Sequence, residues 1–316
     1  MLTRIDRIQL AVPDLSSAAE GWVALLRAEP AGEDRCAALG ARRTRLRLGS
    51  GWIELLEPDG AGPVADAVAK RGGHLFAAGA ATSDLDALLS QLRDQGAAPV
   101  LEQDQVFLAP AAAGEHGLRA AGEHGLRAAG EHGLRMVFSA EETLEPVGDV
   151  AFFYEVTLLV RDAITATDQI ATLLRLDADA FVPIESKHYG YKGTLTLFDR
   201  DRLGRLEVIT PNQPDNTMGR FFERAGESFY MAFAESENLE AIAERARDRR
   251  AGHTPVPAAS KSEVRELNTL FLHPSALGGM MLGLSAPSVA WQWSGHPERV
   301  RARGRDGARG RARTGS

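Results

Sequence analysis

Two carboxylates occupy positions where a carboxylate is hard to accommodate. Glu155 interrupts the apolar run Phe152-Phe153-Tyr154-Glu155-Val156-Thr157-Leu158-Leu159-Val160, and Glu207 sits within Arg205-Leu206-Glu207-Val208-Ile209-Thr210-Pro211. Burying an ionised carboxylate without a partner is costly. Two of them facing one cavity would raise one pKa, through burial and mutual repulsion. That is one way to make a proton-transfer pair without a metal. The structural reading of the same residues is a salt bridge to a nearby arginine, or strand ends open to water. His188 and Tyr189 belong to the polar, aromatic-rich stretch Glu185–Gly193. Such a loop offers an acid, a base or a stacking surface, or is a hairpin with exposed aromatics. Met231 is expected to line the core or the cavity, and strand alternation puts Tyr230 on the opposite face. Arg7 is a fixed cation in the opening strand, suited to clamping a carboxylate or phosphate.

The elements that would position these residues follow a repeating order. The opening strand Ile5–Leu15 leads into a helix to about Arg27, which Ser16 and Ser17 help to start. Short strand-like stretches follow at Ala37–Leu39, Thr44–Leu48 and Trp52–Leu56. The order repeats from His74, with a helix over Leu85–Gln95 and strands at Pro99–Leu101, Val106–Leu108 and Met136–Ser139. Residues 148–286 run through the whole order again, so an internal repeat of about 140 residues governs the architecture. Inside it, Ala-Ala-Gly-Glu-His-Gly-Leu-Arg occurs three times unchanged over residues 112–135. An eight-residue period suits neither helix nor strand packing, which points to an enlarged hairpin loop. The other reading is a metal tract built from His116, His124 and His132.

The phrases Ile-Asp-x-Ile-x-Leu-Ala-Val-x-Asp-Leu at the start, Ile-Glu-Leu-Leu-Glu-Pro at 53–58 and Phe-Leu-His-Pro-Ser-Ala-Leu-Gly-Gly at 271–279 resemble the vicinal-oxygen-chelate superfamily. The likeness is to its methylmalonyl-CoA epimerases and glyoxalase I, and it covers residues 1–286. The resemblance implies an α+β fold of two tandem modules, 1–147 and 148–286. Each would pair two βαβββ units into a cup-shaped mixed sheet. It also implies that four positions in each cup would hold a divalent metal. Those positions read Arg7, Glu54, Ala77 and Val137 in the first cup, and Glu155, Glu207, Met231 and Gly283 in the second. Only the fourth-strand carboxylate persists in both, and Met and Gly cannot replace hard ligands. No metal or other cofactor is therefore expected. Arg7 and Glu54 are expected either to contact a ligand or to pair with each other across the first cup.

Composition bounds the rest. The chain has 316 residues, 44% hydrophobic and 25% charged, with a formal net charge of −7, as expected of a two-domain globular protein. An acidic body argues against nucleic-acid binding, and no apolar run is long enough to cross a bilayer. Cys36 is alone, and a cytoplasmic location is expected. From Ser294 onward seven arginines face only Glu298 and Asp306, and residues 287–316 are expected to be a disordered tail. The sequence leads to a lyase or isomerase acting on a small carbonyl or carboxylate compound. Glu155, Glu207 and His188 would be its catalytic groups, with Tyr189, Met231, Arg7 and Glu54 binding the ligand. A metal-free protein that sequesters an aromatic or drug-like molecule is the alternative. An extradiol-type dioxygenase would need two His and one Glu on iron. The expected partner is a small molecule, with a homodimer left open.

Overall fold

Aspartates at the ends of three strands decide where three helices begin. Asp14 accepts a hydrogen bond from the backbone of Ser17 at 2.7 Å, and Asp84 from Ala87 at 2.9 Å. Asp162 accepts from Ile164 and Thr165. Each satisfies amide groups that a helix start leaves unpaired. Asp14, rather than Ser16 or Ser17, is therefore the capping residue of the first helix.

The computed structural model describes residues 1–109, 133–258, 266–287 and 289–300. The first half comprises β1 (Leu2–Ala11), α1 (Leu15–Leu26), β2 (Glu29–Cys36), β3 (Ala41–Leu48), β4 (Gly51–Pro58), α2 (Pro63–Arg71), β5 (His74–Thr82), α3 (Leu85–Asp94), β6 (Val100–Glu102), β7 (Gln105–Leu108) and β8 (Met136–Ala140). The second comprises β9 (Phe152–Leu159), α4 (Ala163–Leu174), β10 (Val182–Ser186), β11 (Tyr191–Leu197), β12 (Arg205–Pro211), α5 (Thr217–Ala225), β13 (Ser228–Glu235), α6 (Leu239–Asp248), β14 (His253–Pro257), β15 (Leu267–Leu272) and β16 (Met281–Ser285).

Each half folds into one curled eight-stranded mixed sheet, and the two share a strand order. The first runs β2-β3-β4-β1-β5-β8-β7-β6 and the second β10-β11-β12-β9-β13-β16-β15-β14. The α+β architecture of two tandem modules is as the repeat implied. The helix-facing sides of both sheets and the apolar faces of α1, α3, α4 and α6 merge into one core around Trp22, Phe138 and Phe153. Arg245 on α6 donates to the Leu25 carbonyl, and Gln91 on α3 to that of Leu173, locking the two helix layers together. No helix among the described residues is long and apolar enough to cross a membrane.

Four details depart from the sequence reading. Residues 37–39 form a single helical turn, whose Ala37 and Ala38 amides are held by the Glu102 carboxylate. The strand is β2 instead, a largely exposed edge whose sequence, Glu-Pro-Ala-Gly-Glu-Asp-Arg-Cys, has no apolar alternation to reveal it. The helices α2 and α5, joining the units within each module, and the edge strands β10 and β14 also went unread. The octapeptide repeat lies outside the described residues except for Gly133, Leu134 and Arg135.

The fourth departure is the tail. Residues 289–300 are not free of the body: Val289, Ala290 and Ser294 are buried. Ala290 packs on Tyr154 and Leu203, and Arg299 pairs with Asp201 at 2.6 Å while its guanidinium covers Trp291. Trp291 and a buried serine hydroxyl supply the anchor that an Arg/Gly count overlooks. Residues 301–316 lie outside the described part. Ser294→Ala is expected to lower stability by about 1.5–3 kcal/mol, the range for a hydrogen bond to a charged group. Truncation after Ala286 should cost at least as much. Urea melts of both variants check this, and wild-type stability in both would mean that the segment does not dock.

Candidate active site

The sheet register decides which residues meet inside each cup. In the first, Gln9 lies beside Glu54 and opposite Ala77, while Arg7 lies opposite Gly79, which neighbours Val137. In the second, Thr157 lies beside Glu207 and opposite Met231, while Glu155 lies opposite Phe233, which neighbours Gly283. The two registers superimpose residue by residue, so Glu54 corresponds to Glu207 and Arg7 to Glu155. The two central strand pairs share two bulges, and β1 has a third at Thr3. Asp6 and Tyr154 are the extra residues on β1 and β9, and Phe76 and Tyr230 those on β5 and β13. A bulge puts two consecutive side chains on one face. Tyr230 therefore joins Ile209, Tyr191 and Phe221 on the concave side rather than facing away from Met231 as simple alternation predicts.

A buried ionic network fills the first cup. Arg7 donates to Glu54 at 2.9 Å and to Asp6 at 3.0 Å, and also to Ser139. Gln9 and Gln105 donate to Glu54 at 2.7 and 2.8 Å. Arg43 stands 3.5 Å from Glu54 while bound to Asp34. Glu54 is fully buried. Burial alone would raise its pKa, but the Arg7 and Arg43 charges and the two amide donors outweigh that and hold it below the ordinary carboxylate range. Gly79 makes this possible, since a Cβ there would collide with the Arg7 side chain. Arg7 and Glu54 thus spend their bonding capacity on each other and on their neighbours.

The second cup keeps the carboxylate and loses most of its partners. Glu155 replaces the cation Arg7 and is itself paired with Arg205 at 2.6 Å. Arg205 also donates to the Ser294 hydroxyl of the C-terminal segment and lies under the Tyr154 ring. Thr157 and Thr269 stand where the first cup has Gln9 and Gln105, and Gly193 stands where it has Arg43. Glu207 is left with the Thr157 hydroxyl at 2.5 Å and the Tyr191 phenol. Burial, and then the Glu155 charge, push its pKa up to about 8. Tyr191 is raised as well, by burial and by Glu207. Tyr191, Tyr230, Phe233 and Phe271 are half-exposed aromatics of the same sheet.

The described residues contain no group of three or more His, Cys, Asp and Glu able to hold a metal. The second-cup positions that would ligate one do not fit it. The Arg205 guanidinium holds Glu155, Met231 is a soft thioether, and the Phe233 ring fills the space over Gly283.

No family model and no curated protein sequence matches the chain. Solved structures do. One is a 4-hydroxymandelate synthase mutant from Streptomyces coelicolor, with a TM-score of 0.65 at 13% identity over 90% of this chain and 92% of that one. A second is a fusion of a xylose isomerase-like TIM barrel with a 4-hydroxyphenylpyruvate dioxygenase, with a TM-score of 0.59 at 11% identity. It matches 90% of this chain, which spans about half (49%) of the fusion's length. The fold is that of a tandem vicinal-oxygen-chelate protein.

Within that fold the residues singled out in the sequence divide into three groups. Glu155, Glu207 and Met231 share the concave face of the second cup, and Arg7 and Glu54 meet in the first. His188 and Tyr189 stand apart, exposed at the tip of the β10–β11 hairpin with their rings 4.6 Å apart. Asn216 and Gln213 hold this tip through its backbone. Arg205, Thr157, Tyr191 and Ser294 were missed. Arg205 shares a strand face with Glu207, a spacing visible in the sequence, but its pairing with Glu155 depends on the parallel register of β9 and β12.

The two equivalent carboxylates are expected to respond oppositely to removal of charge. Glu54→Gln takes one of two carboxylates from each of Arg7 and Arg43 and should destabilise by up to about 3–5 kcal/mol. Glu207→Gln should be tolerated, with an effect that depends on pH. The native state holds the Glu207 proton up to about 8, whereas the unfolded chain releases it near 4.5. The associated stability is complete below 4.5 and is lost as pH rises through about 8. His74, pushed down to about 4 by burial and neighbouring arginines, acts in the opposite sense, losing stability as pH falls below 6.5. The difference between wild type and Glu207→Gln cancels the His74 contribution. Thermal melts from pH 5 to 9 should show wild type losing ground to the variant as pH rises. A difference that does not change with pH would place Glu207 in the ordinary carboxylate range.

Proposed function

We propose that the second cup is a metal-free site for a small carbonyl compound, and that Glu207 moves a proton on it. The reaction class is lyase or isomerase. The observation that carries this reading is the contrast between the two cups. The same buried carboxylate is neutralised by cations in one and, in the other, has no ion-pair partner among the described residues, with a pKa raised to about 8. A group poised near neutrality can both donate and accept a proton within one cycle. Its neighbours suit the task. Thr157 fixes one carboxyl oxygen, and the Tyr191 phenol can donate to a developing oxyanion. The half-exposed aromatics exclude water from an organic substrate. The Glu155–Arg205 pair is read as a positioning element that supplies the like charge on one side and a fixed dipole on the other. His188 and Tyr189 are reassigned to the rim.

The second reading, a binding protein without chemistry, draws on the same half-exposed aromatic surface. Solvent-hydrogen exchange separates the two. A panel of 2-oxo acids, 3-oxo acids and hydroxyaldehydes is incubated with the protein in D₂O, and loss of the C–H signal beside the carbonyl is followed by proton NMR. Exchange is expected for at least one compound, slowed about 10²–10⁴-fold in Glu207→Gln. Compounds that raise the melting temperature without exchanging would make the cup a binding site. A panel that neither exchanges nor binds would remove the carbonyl assignment.

A further inference from the structure

Three arginines gather away from the carboxyl site, where the apolar end of the first cup meets the second module. Arg71 ends α2, Arg135 precedes β8, and Arg224 lies on α5. Arg71 and Arg224 approach the same ring, with guanidinium carbons 5.5 and 5.8 Å from the Phe221 centroid. Arg135 lies 4.2 Å from the Phe76 centroid, and the His74 ring stands 6.4 Å from that same ring. Phe76 is the bulge residue lining this end of the cup.

Among the described residues no carboxylate pairs with any of the three. The buried arginines Arg7, Arg43 and Arg205, by contrast, are all ion-paired. Arg71 and Arg135 are half-buried, and burial without a counter-charge pushes the Arg135 pKa down. The local potential registers on His74, held near 4 by burial and then by Arg71 and Arg135. Contacts with aromatic faces offset part of the desolvation but leave the planar N–H forks unfilled. Exposed Arg224 keeps the cluster open to solvent.

We propose that Arg71 and Arg224, with Arg135 adding positive charge nearby, form a site for a phosphate group, bound by charge-assisted hydrogen bonds at the junction of the two modules. Phosphate carries close to two negative charges and several acceptor oxygens, which matches two neighbouring guanidinium forks better than a monoanion does. The phosphate can be free or carried on an organic molecule, and the flanking Phe76 and Phe221 rings offer a surface for the organic part.

The test uses the full chain, with inorganic phosphate and phenyl phosphate as probes and chloride at equal ionic strength as control. Phosphate at about ten times its dissociation constant is expected to raise the melting temperature by about 3 °C, with chloride having no such effect. Calorimetric titration should show binding weakened at least about tenfold in Arg71→Gln/Arg135→Gln and unchanged in Arg93→Gln, on the outer part of α3. Circular dichroism of the unliganded variants confirms that they fold. Should the double variant misfold, Arg224→Gln on the exposed helix carries the same comparison. Tighter binding of phenyl phosphate than of phosphate marks a phosphorylated organic ligand, and equal binding marks the free oxyanion. Equal stabilisation by phosphate and chloride, or phosphate binding undiminished in the variants, overturns the proposal.

Discussion

A carboxylate on the fourth strand of each unit pair, enclosed by a curled sheet, is the constraint around which both cups are arranged. Such a group must be neutralised, hydrogen-bonded or protonated. The first cup takes the first route, and much of its sheet takes part in doing so. Arg7 on β1 reaches Glu54 on β4, Gln105 reaches it from β7, and Arg43 from β3. The bulge that sets Asp6 beside Arg7 turns a second carboxylate onto the same guanidinium, and Ser139 on β8 ties both to the other side of the sheet. The network joins five strands across a space that a ligand would otherwise occupy. Buried ionic networks of this kind are weak sources of net stability but costly to break. The first cup therefore reads as structural.

One charge reversal explains why the second cup behaves differently. With Glu155 in the place of Arg7, the cation that would have satisfied the fourth-strand carboxylate becomes a second anion. Arg205 answers that anion from β12, one strand over, and a second of its nitrogens donates to Ser294. Thr157, in the place of Gln9, still donates to Glu207, but among the described residues Thr269, in the place of Gln105, does not, and Gly193 removes the third-strand cation. Protonation is then the route left to Glu207. The docked segment around Ala290, Trp291 and Ser294 belongs to the same solution, because it closes the side of the cup where the Glu155–Arg205 pair would otherwise meet water.

Much of the fold was legible because the strand order occurs twice, with apolar strands and recognisable turns between them. The elements that escaped notice lack that periodic signal. Strand β2 is a polar edge, and α2 and α5 are short linking helices with few buried residues. Glu155, Glu207, Met231, Arg7 and Glu54 could be placed in cups through the resemblance to the vicinal-oxygen-chelate superfamily. Their partners could not. A bulge shifts every later residue to the other face, so Tyr230 was turned the wrong way and Asp6 was never set beside Arg7. Parallel pairing of β9 with β12 brings Arg205 to Glu155 across fifty residues, and no local rule encodes that contact. The hairpin tip His188–Tyr189 is the converse case, since an aromatic, polar composition suits a site and an exposed turn equally well.

Charge placement across the molecule supports treating its two unsatisfied regions as distinct. The chain carries 43 acidic residues against 36 Lys and Arg, so a carboxylate is easily found for most cations. Arg7, Arg43, Arg205 and Arg245 each have one. Arg71, Arg135 and Arg224 meet aromatic rings instead, on elements from both modules. At the other end of the architecture, Glu207 has no ion-pair partner among the described residues although Arg205 is two residues away on the same strand face. Pairing the excess cations with the excess carboxylate would satisfy both, yet among the described residues no such ion pair forms. An uncompensated group of each sign, held apart by rigid sheets, is a standing cost in stability that a bound anion relieves in one region and a proton relieves in the other.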